Sequence, residues 1–285
     1  MKSVRICVAA ITAGVVCIAA MIGILSAAIY AENESGNSFI GLMYHQVLKD
    51  ESRAGKYIIT PNELESDLAY LSENGYVSVL PSQLVKIREQ GGRLPEKTVV
   101  ITFDDGYETG LYYVLPLLKK YGMKAVINVV GSYTDEYSRI NEEGKHLSYA
   151  YLTWNEIKTL SDSGYVEIGN HTYDMHSNNG DRNGCARKEN ESDEQYRTVL
   201  YEDVDRLSDK LQQVTGKRPV AFAYPFGSLS EGSAEIIGST GISVFMTCCE
   251  QPCSMNRNGR IVINRYNRES GRTAQQICEE FNNAF

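Results

Sequence analysis

Eight short apolar runs, separated by helix signals or polar loops and with no hairpin turn between them, restrict this chain to a parallel sheet with helices packed on it. The runs are FIGLMYHQV (39–47), YVSVL (76–80), TVVITF (98–103), KAVINVV (124–130), YVEIGNH (165–171), VAFAYP (220–225), ISVFMT (242–247) and RIVINRY (260–266). Between them, Thr60-Pro61-Asn62-Glu63 reads as a capping box that opens a helix with Leu64, Leu68 and Leu71 on one face and a stop at Asn74-Gly75. A short helix follows Pro81, and another runs from Tyr112 through Lys120 and closes at Gly122. Thr153-Trp154-Asn155-Glu156 caps a fourth that ends at Gly164, which gives Trp154 a structural role. Ser192 with Gln195 opens a long helix that stops at Gly216, and a last one starts near Thr273. A polar stretch from about 177 to 191 is an insertion. The alternation predicts an α/β fold, a distorted (β/α) barrel of seven to eight parallel strands. An open doubly wound sheet is the second choice.

In a barrel of this kind the chemistry gathers at the carboxyl ends of the strands. His45, Asp104, Asp105, His171, Tyr224 and Arg265 all fall at such ends. TFDDGY (102–107) offers two adjacent carboxylates, and NHTYDMH (170–176) offers two histidines five residues apart. That is enough for a three-ligand metal site with one carboxylate left over, the equipment of a metal-dependent hydrolase.

Residues 6–31 carry no charge and are preceded by Lys2 and Arg5. A bilayer is crossed by about 20 apolar residues, and the basic flank directs the short tail inward. A retained membrane anchor over 1–31 is expected, followed by a linker over 32–38 and a catalytic domain over 39–285 outside the cytoplasm. A signal peptide cleaved near Ser26-Ala27-Ala28 is the alternative. The net charge is −8, falling to −10 once Lys2 and Arg5 are set aside, which opposes nucleic acid as a partner. Cys185, Cys248, Cys249, Cys253 and Cys278 then lie where disulfides are permitted, and their odd number leaves at least one thiol free. A zinc cluster of Cys248, Cys249 and Cys253 has an unusual spacing and no histidine nearby; a disulfide or buried thiols fits better.

TFDDGY, then a strand ending NHTYDMH, then FAYPFG (222–227) resembles the polysaccharide deacetylases of carbohydrate esterase family 4, over most of residues 39–285. The resemblance implies removal of acetyl groups from N-acetylated sugars, or from O-acetylated xylan, by metal-activated water. It makes Asp104 the general base and Asp105, His171 and His176 the ligands of one divalent metal, with zinc the default and cobalt, nickel or iron compatible. The usual histidine spacing is four, where this chain has Met175. The five-residue step is similar to the poly-N-acetylglucosamine deacetylase branch; Asp174 is the fallback ligand, its other reading an Asx turn. The opening GLMYHQV resembles the same branch, whose barrel is circularly permuted relative to the common order. With no histidine after the last strand, His45 stands in as general acid. Ala223 replaces the family arginine that orients the base, a charge Arg265 could supply, and the family tryptophan motif is missing. Tyr107, Tyr224, Phe226 and Arg265 are expected to line a sugar groove, with the Phe226 N–H near the oxyanion. The expected partner is an N-acetylated polymer, either peptidoglycan or exported poly-N-acetylglucosamine, met by a monomeric enzyme. A glycan-binding protein that has lost activity, and an O-acetyl esterase, are the competing readings.

Overall fold

A computed structural model describes residues 37–140, 146–178, 180, 182–255 and 259–283. The run at 6–31, the anchor expected from it and the linker up to residue 36 lie outside these residues. Among the described residues no helix is long and apolar enough to cross a membrane.

Strand β1 (Ser38–Tyr44) is buried along nearly its whole length, as a strand covered on both faces must be. It pairs in parallel with β5 (Thr98–Phe103), and parallel pairing continues through β6 (Ala125–Val129), β7 (Val166–Asn170), β8 (Ala221–Ala223) and β9 (Val244–Met246) to β11 (Ile261–Ile263). The chain then breaks step at Asn264-Arg265, and β12 (Tyr266–Asn267) pairs with β1. One interrupted strand therefore closes the barrel from both sides, which decides against the open sheet. The run YVSVL gives only a short strand, β4 (Val77–Ser78), which joins the same sheet in parallel beside the start of β5, off the main strand path; there Ser78 Oγ accepts from the Lys124 N–H. Two more pairings lie outside the barrel: β2 (Gln46–Val47) with β3 (Ile58–Ile59), and β10 (Cys253–Ser254), antiparallel to β1.

The helices begin where their caps predict. In α1 (Pro61–Glu73) Thr60 Oγ1 accepts from Glu63 N at 3.2 Å while Glu63 Oε2 accepts from Thr60 N at 2.9 Å. The other cap-signalled or foreseen helices are α2 (Pro81–Glu89), α3 (Leu115–Tyr121, preceded by a π turn at Gly110–Val114), α5 (Trp154–Asp162), α6 (Asp193–Thr215) and α8 (Ala274–Asn283). Two were not foreseen, α4 (Gly131–Tyr137) and α7 (Ser233–Gly238), since both are too short for apolar periodicity to show. Trp154 is structural as expected, its indole N–H bonded to Asp135 at 2.9 Å. The five described cysteines are free thiols, with Cys185, Cys253 and Cys278 buried.

Side-chain alternation divides the core. Val99, Ile101, Phe103, Ala125, Ile127 and Val129 face the helices. Val100, Val126, Ala223, Val244, Met246 and Ile263 form the barrel interior, packed at its amino end on Leu84 of α2. Towards the carboxyl end the interior turns polar, with Thr102, Asp104, Asn128 and Arg265 all buried. A second polar knot ties the shell together. Asp67 of α1 accepts from Arg268 Nε at 2.7 Å, Tyr44 Oη at 3.1 Å and the Ala274 N–H at 2.9 Å, linking α1, β1, β12 and α8.

Gly41 marks the tightest point of closure, where an added Cβ would lie 2.3 Å from the Asn264 carbonyl oxygen and 2.9 Å from Ile263 Cγ2. Gly41→Ala is expected to destabilise the domain by about 1–3 kcal/mol or more through overpacking against backbone, read as a lower midpoint in urea denaturation.

Candidate active site

The turn after β5 separates the two carboxylates. The Asp104 N–H extends the ladder to the Tyr44 carbonyl at 2.9 Å, and its side chain stays inside the barrel. Asp105 then takes a left-handed conformation (φ 71°), uncommon for a residue with a side chain, and Gly106 follows at φ 70°. A Cβ on Gly106 would lie 3.0 Å from Val129 Cγ1, so the turn needs glycine there. The two aspartates thus point into different environments.

The histidine loop is built from beneath. Asn170 Oδ1 accepts from the Thr172 N–H at 2.8 Å, while its Nδ2 donates to the Val204 carbonyl at 2.9 Å and Ser208 Oγ at 3.0 Å. Asp203, also on α6, accepts from Tyr173 N at 2.7 Å and Asp174 N at 2.8 Å, one per carboxylate oxygen. Burial pushes the Asp203 pKa up to about 6 against these bonds. Held this way, with Thr172 at φ 73°, the loop turns Met175 into the apolar cluster under α6 and leaves Asp174 exposed. The residue that returns to the site is His176, where Tyr133 Oη donates to its carbonyl at 3.1 Å and lies 3.3 Å from its Nδ1.

Asp105, His171 and His176 converge, each offering a ligand atom within 4.8 Å of the others. Asp105 Oδ1 lies 3.0 Å from His176 Nε2 and 3.5 Å from His171 Nε2. His171 Nδ1 donates to the Ala223 carbonyl at 2.8 Å, which orients the ring and turns Nε2 toward Asp105. This donor set fits a divalent ion. Burial alone would raise the Asp105 pKa, but hydrogen bonds from His171 and His176 hold it well below the carboxylate range. Among the described residues no other group of three such side chains could hold a metal, and the cysteine cluster does not form one.

Asp104 has separate partners. Arg265 Nη1 donates to its Oδ1 at 2.7 Å, and Asn128 Nδ2 donates to the same oxygen at 2.7 Å. Burial would raise the Asp104 pKa; the guanidinium overrides it and brings it down to about 2. Arg265 is itself fully buried, with Nε on the Thr247 carbonyl and Nη1 also on Thr102 Oγ1. Arg265, expected in the groove, therefore lies buried behind Asp104, out of contact with solvent. Tyr224 is a second correction. Its ring packs on Phe222 and its hydroxyl lies 3.4 Å from Ser233 Oγ, buried in the cluster under α6 and α7, because Ala223 points into the barrel and Tyr224 shares the outer face of Phe222.

Tyr107 is part-buried and stacks on Tyr151 at 4.9 Å, which also meets Tyr133 at 4.5 Å. Phe226, 47% exposed and at φ 58°, lies 4.7 Å from the His176 ring. His45 follows β1 with its ring 4.8 Å from Tyr57 and its Nδ1 buried without a hydrogen-bond partner among the described residues. Burial lowers its pKa, with Asp105 and Asp104 pulling the other way. Sequence reasoning missed Asn128, Asn170 and Asp203. The two asparagines carried a signal, a carboxamide inside an apolar strand; Asp203 sits on an ordinary amphipathic helix and carried none.

A parallel barrel that gathers a carboxylate and two imidazoles at its carboxyl end, beside a second, separately held carboxylate, has the make-up of a metal-dependent hydrolase. The chain belongs to the polysaccharide deacetylase family, which it matches over residues 91–245. It is similar to the poly-beta-1,6-N-acetyl-D-glucosamine N-deacetylase of Escherichia coli (strain K12), at 27% identity over 231 residues, 74% of this chain and 34% of that protein. The chain thus spans about a third of the length of that relative. To the protein of the same name from Staphylococcus aureus (strain MRSA252) it is 22% identical over 234 residues, 78% of this chain and 76% of that one. Among solved structures, a de-N-acetylase from Aggregatibacter actinomycetemcomitans superposes with a TM-score of 0.72 at 26% identity, covering 85% of this chain and 99% of that one. IcaB from Ammonifex degensii does so at 0.68 and 26%, covering 86% and 97%.

Arg265→Met is expected to cost roughly 3–5 kcal/mol at neutral pH, since it leaves the Asp104 carboxylate buried and unpaired. Without the guanidinium, burial would set the folded-state pKa of Asp104 above its unfolded value. The loss should therefore be small below the unfolded pKa and grow as pH rises. Urea denaturation of chelator-treated protein at pH 4 and pH 7 checks this.

Proposed function

We propose that this chain removes N-acetyl groups from an N-acetylglucosamine polymer at the cell surface. The observation that carries the reading is the division of labour between adjacent carboxylates: Asp105 is turned to two imidazoles, while Asp104 is held by Arg265 and Asn128. A metal site alone would need only the first. The second, close by and held as an anion, is placed to serve as a base.

A divalent cation held by Asp105, His171 and His176, zinc by default and cobalt, nickel or iron by the same donors, supplies Lewis-acid polarisation of the acetyl carbonyl and makes water more acidic. Asp104 takes the proton of the attacking water on the carboxylate oxygen that Arg265 and Asn128 leave unused. The Phe226 N–H, on the left-handed turn at Pro225–Gly227, steadies the oxygen that gains charge. An amine leaves poorly, so a proton must reach the sugar nitrogen, and His45 delivers it. Asp105 and Asp104 favour the protonated imidazole against its burial. Tyr107, stacked on Tyr151, and Phe226, beside His176, provide apolar faces on which sugar rings stack. The products are acetate and a glucosamine unit with a new positive charge.

The names of the relatives favour a β-1,6-linked polymer over peptidoglycan as the substrate. The uncharged run at 6–31 behind Lys2 and Arg5 supports action outside the cytoplasm from a membrane tether.

The test is metal content and acetate release from N-acetylglucosamine oligomers by the full chain, purified in detergent without chelator. One metal per chain is expected. Asp104→Asn should lower turnover by about 10²–10⁴-fold with metal retained. His176→Ala should lose the metal, and His45→Ala should slow turnover while keeping it. Metal bound with acetate released from an acetyl ester but not from the oligomers would replace the amide reading with an esterase; metal bound with no acetate from either would leave a binding protein.

A further inference from the structure

Asn128 is a fully buried carboxamide in the middle of an apolar strand, on the inward side of β6 beside Val126 and opposite Met246. It breaks the pattern of the strand, and such a local conflict marks a place where function outweighs packing. We propose that Asn128 is a positioning residue for the base, pinning the carboxylate oxygen of Asp104 that does not receive the proton; this rests on Asp104 being that base.

Three observations carry it. First, Asn128 Nδ2 and Arg265 Nη1 both donate at 2.7 Å to the same oxygen, Asp104 Oδ1, from β6 and from the break in the last strand. Two donors from different walls fix the carboxylate plane, and no described residue donates to the other oxygen. Second, the orientation of the amide is forced. Asn128 Oδ1 is buried and unpartnered, so the amide makes no bond on that side that would hold it. Turning it over would set an amide oxygen against a carboxylate oxygen, a contact between two acceptors. The negative charge of Asp104 therefore sets how Asn128 points, and Asn128 in turn holds Asp104. Third, room for the amide is made by the neighbouring strand. Gly169 is the register partner of Asn128 on β7, and a Cβ there would lie 2.0 Å from Asn128 Oδ1 and 3.1 Å from Cγ. Asn128 and Gly169 work as a pair, large polar facing none.

The choice of an uncharged donor also has a reason. A second cation beside Asp104 would orient it as well, but would hold its electrons too firmly for it to accept a proton. A carboxamide fixes direction without adding charge.

The experiment uses the full chain, metal-loaded for kinetics and metal-free for spectroscopy. Asn128→Leu keeps the branching of the side chain, adds some bulk and removes the donor. It should lower kcat by roughly 10–100-fold, as expected for a misaimed catalytic group, with KM and metal content unchanged. Gly169→Ala, whose Cβ would press on Asn128 Oδ1, should reproduce part of the fall, and the urea midpoints of both variants separate a folding failure from a misaimed base. In an Asp104→Asn background, Asn128→Leu should add nothing further, whereas a merely structural residue would slow both enzymes alike. In ¹⁵N-labelled protein the Asn128 side-chain amide should show one proton far downfield and protected from exchange, moving upfield in Asp104→Asn. An unchanged kcat in a folded, metal-containing Asn128→Leu enzyme, or equal losses in the two backgrounds, overturns the proposal. If the unsubstituted chain releases no acetate, the deacetylase reading fails by itself; the amide signal still decides, and a fast-exchanging amide indifferent to Asp104→Asn overturns the inference.

Discussion

The ion pair between Arg265 and Asp104 is the interaction on which the rest of the site depends. Both side chains are removed from water, at 0% and 3% exposure, where an isolated charge would be very costly. They are tolerated because each is hydrogen-bonded further: the guanidinium reaches the Thr247 carbonyl and Thr102, and the carboxylate receives Asn128. A pair of this kind adds little net stability compared with apolar packing. What it secures is a carboxylate that stays ionised and aimed inside a barrel whose lower half is filled by Val100, Val126 and Ala221.

Strain gathers around the same centre. Among the described residues four other than glycine have positive φ, and three of them, Asp105, Thr172 and Phe226, belong to the loops that carry the proposed chemistry. Such conformations cost of order 1–3 kcal/mol each and persist when the surroundings over-determine them. The surroundings here are explicit: Asn170 and Asp203 hold Thr172 and its neighbours onto α6, and the β1 ladder holds Asp104 just before the turn at Asp105.

Much of this could be read from the amino-acid order alone. Strands at TVVITF and YVEIGNH, the capped helices at Thr60, Thr153 and Ser192, and the metal-type trio of Asp105, His171 and His176 each rest on local patterns whose cause is local. YVSVL forms a parallel strand of the same sheet but only over Val77–Ser78, since an apolar alternation does not say how far a strand extends. Tyr224 misled because its strand-end position was read without its face: Ala223 points into the barrel, so Tyr224 shares the outer face of Phe222 and meets the α6 cluster. The depth of Arg265 was hidden for another reason. It stands at a break in the last strand, and a break in pairing leaves no mark in composition. The five-residue histidine step was legible as a departure, and its physical cause, a helix carboxylate gripping two successive N–H groups, was not.

The interrupted last strand has a bearing on how the molecule comes to be active. Its first half extends the sheet from β9 and its second half meets β1, so the two edges of the sheet are joined by contacts between distant parts of the chain. Non-local pairings of this kind form late, because the entropy of closing the loop is lost before the contact repays it. Arg265 lies at that seam. Until the seam forms, Asp104 lacks its guanidinium partner, so an unclosed barrel leaves the proposed base unaimed. Under the proposed function, chemical competence and completion of the fold are a single event.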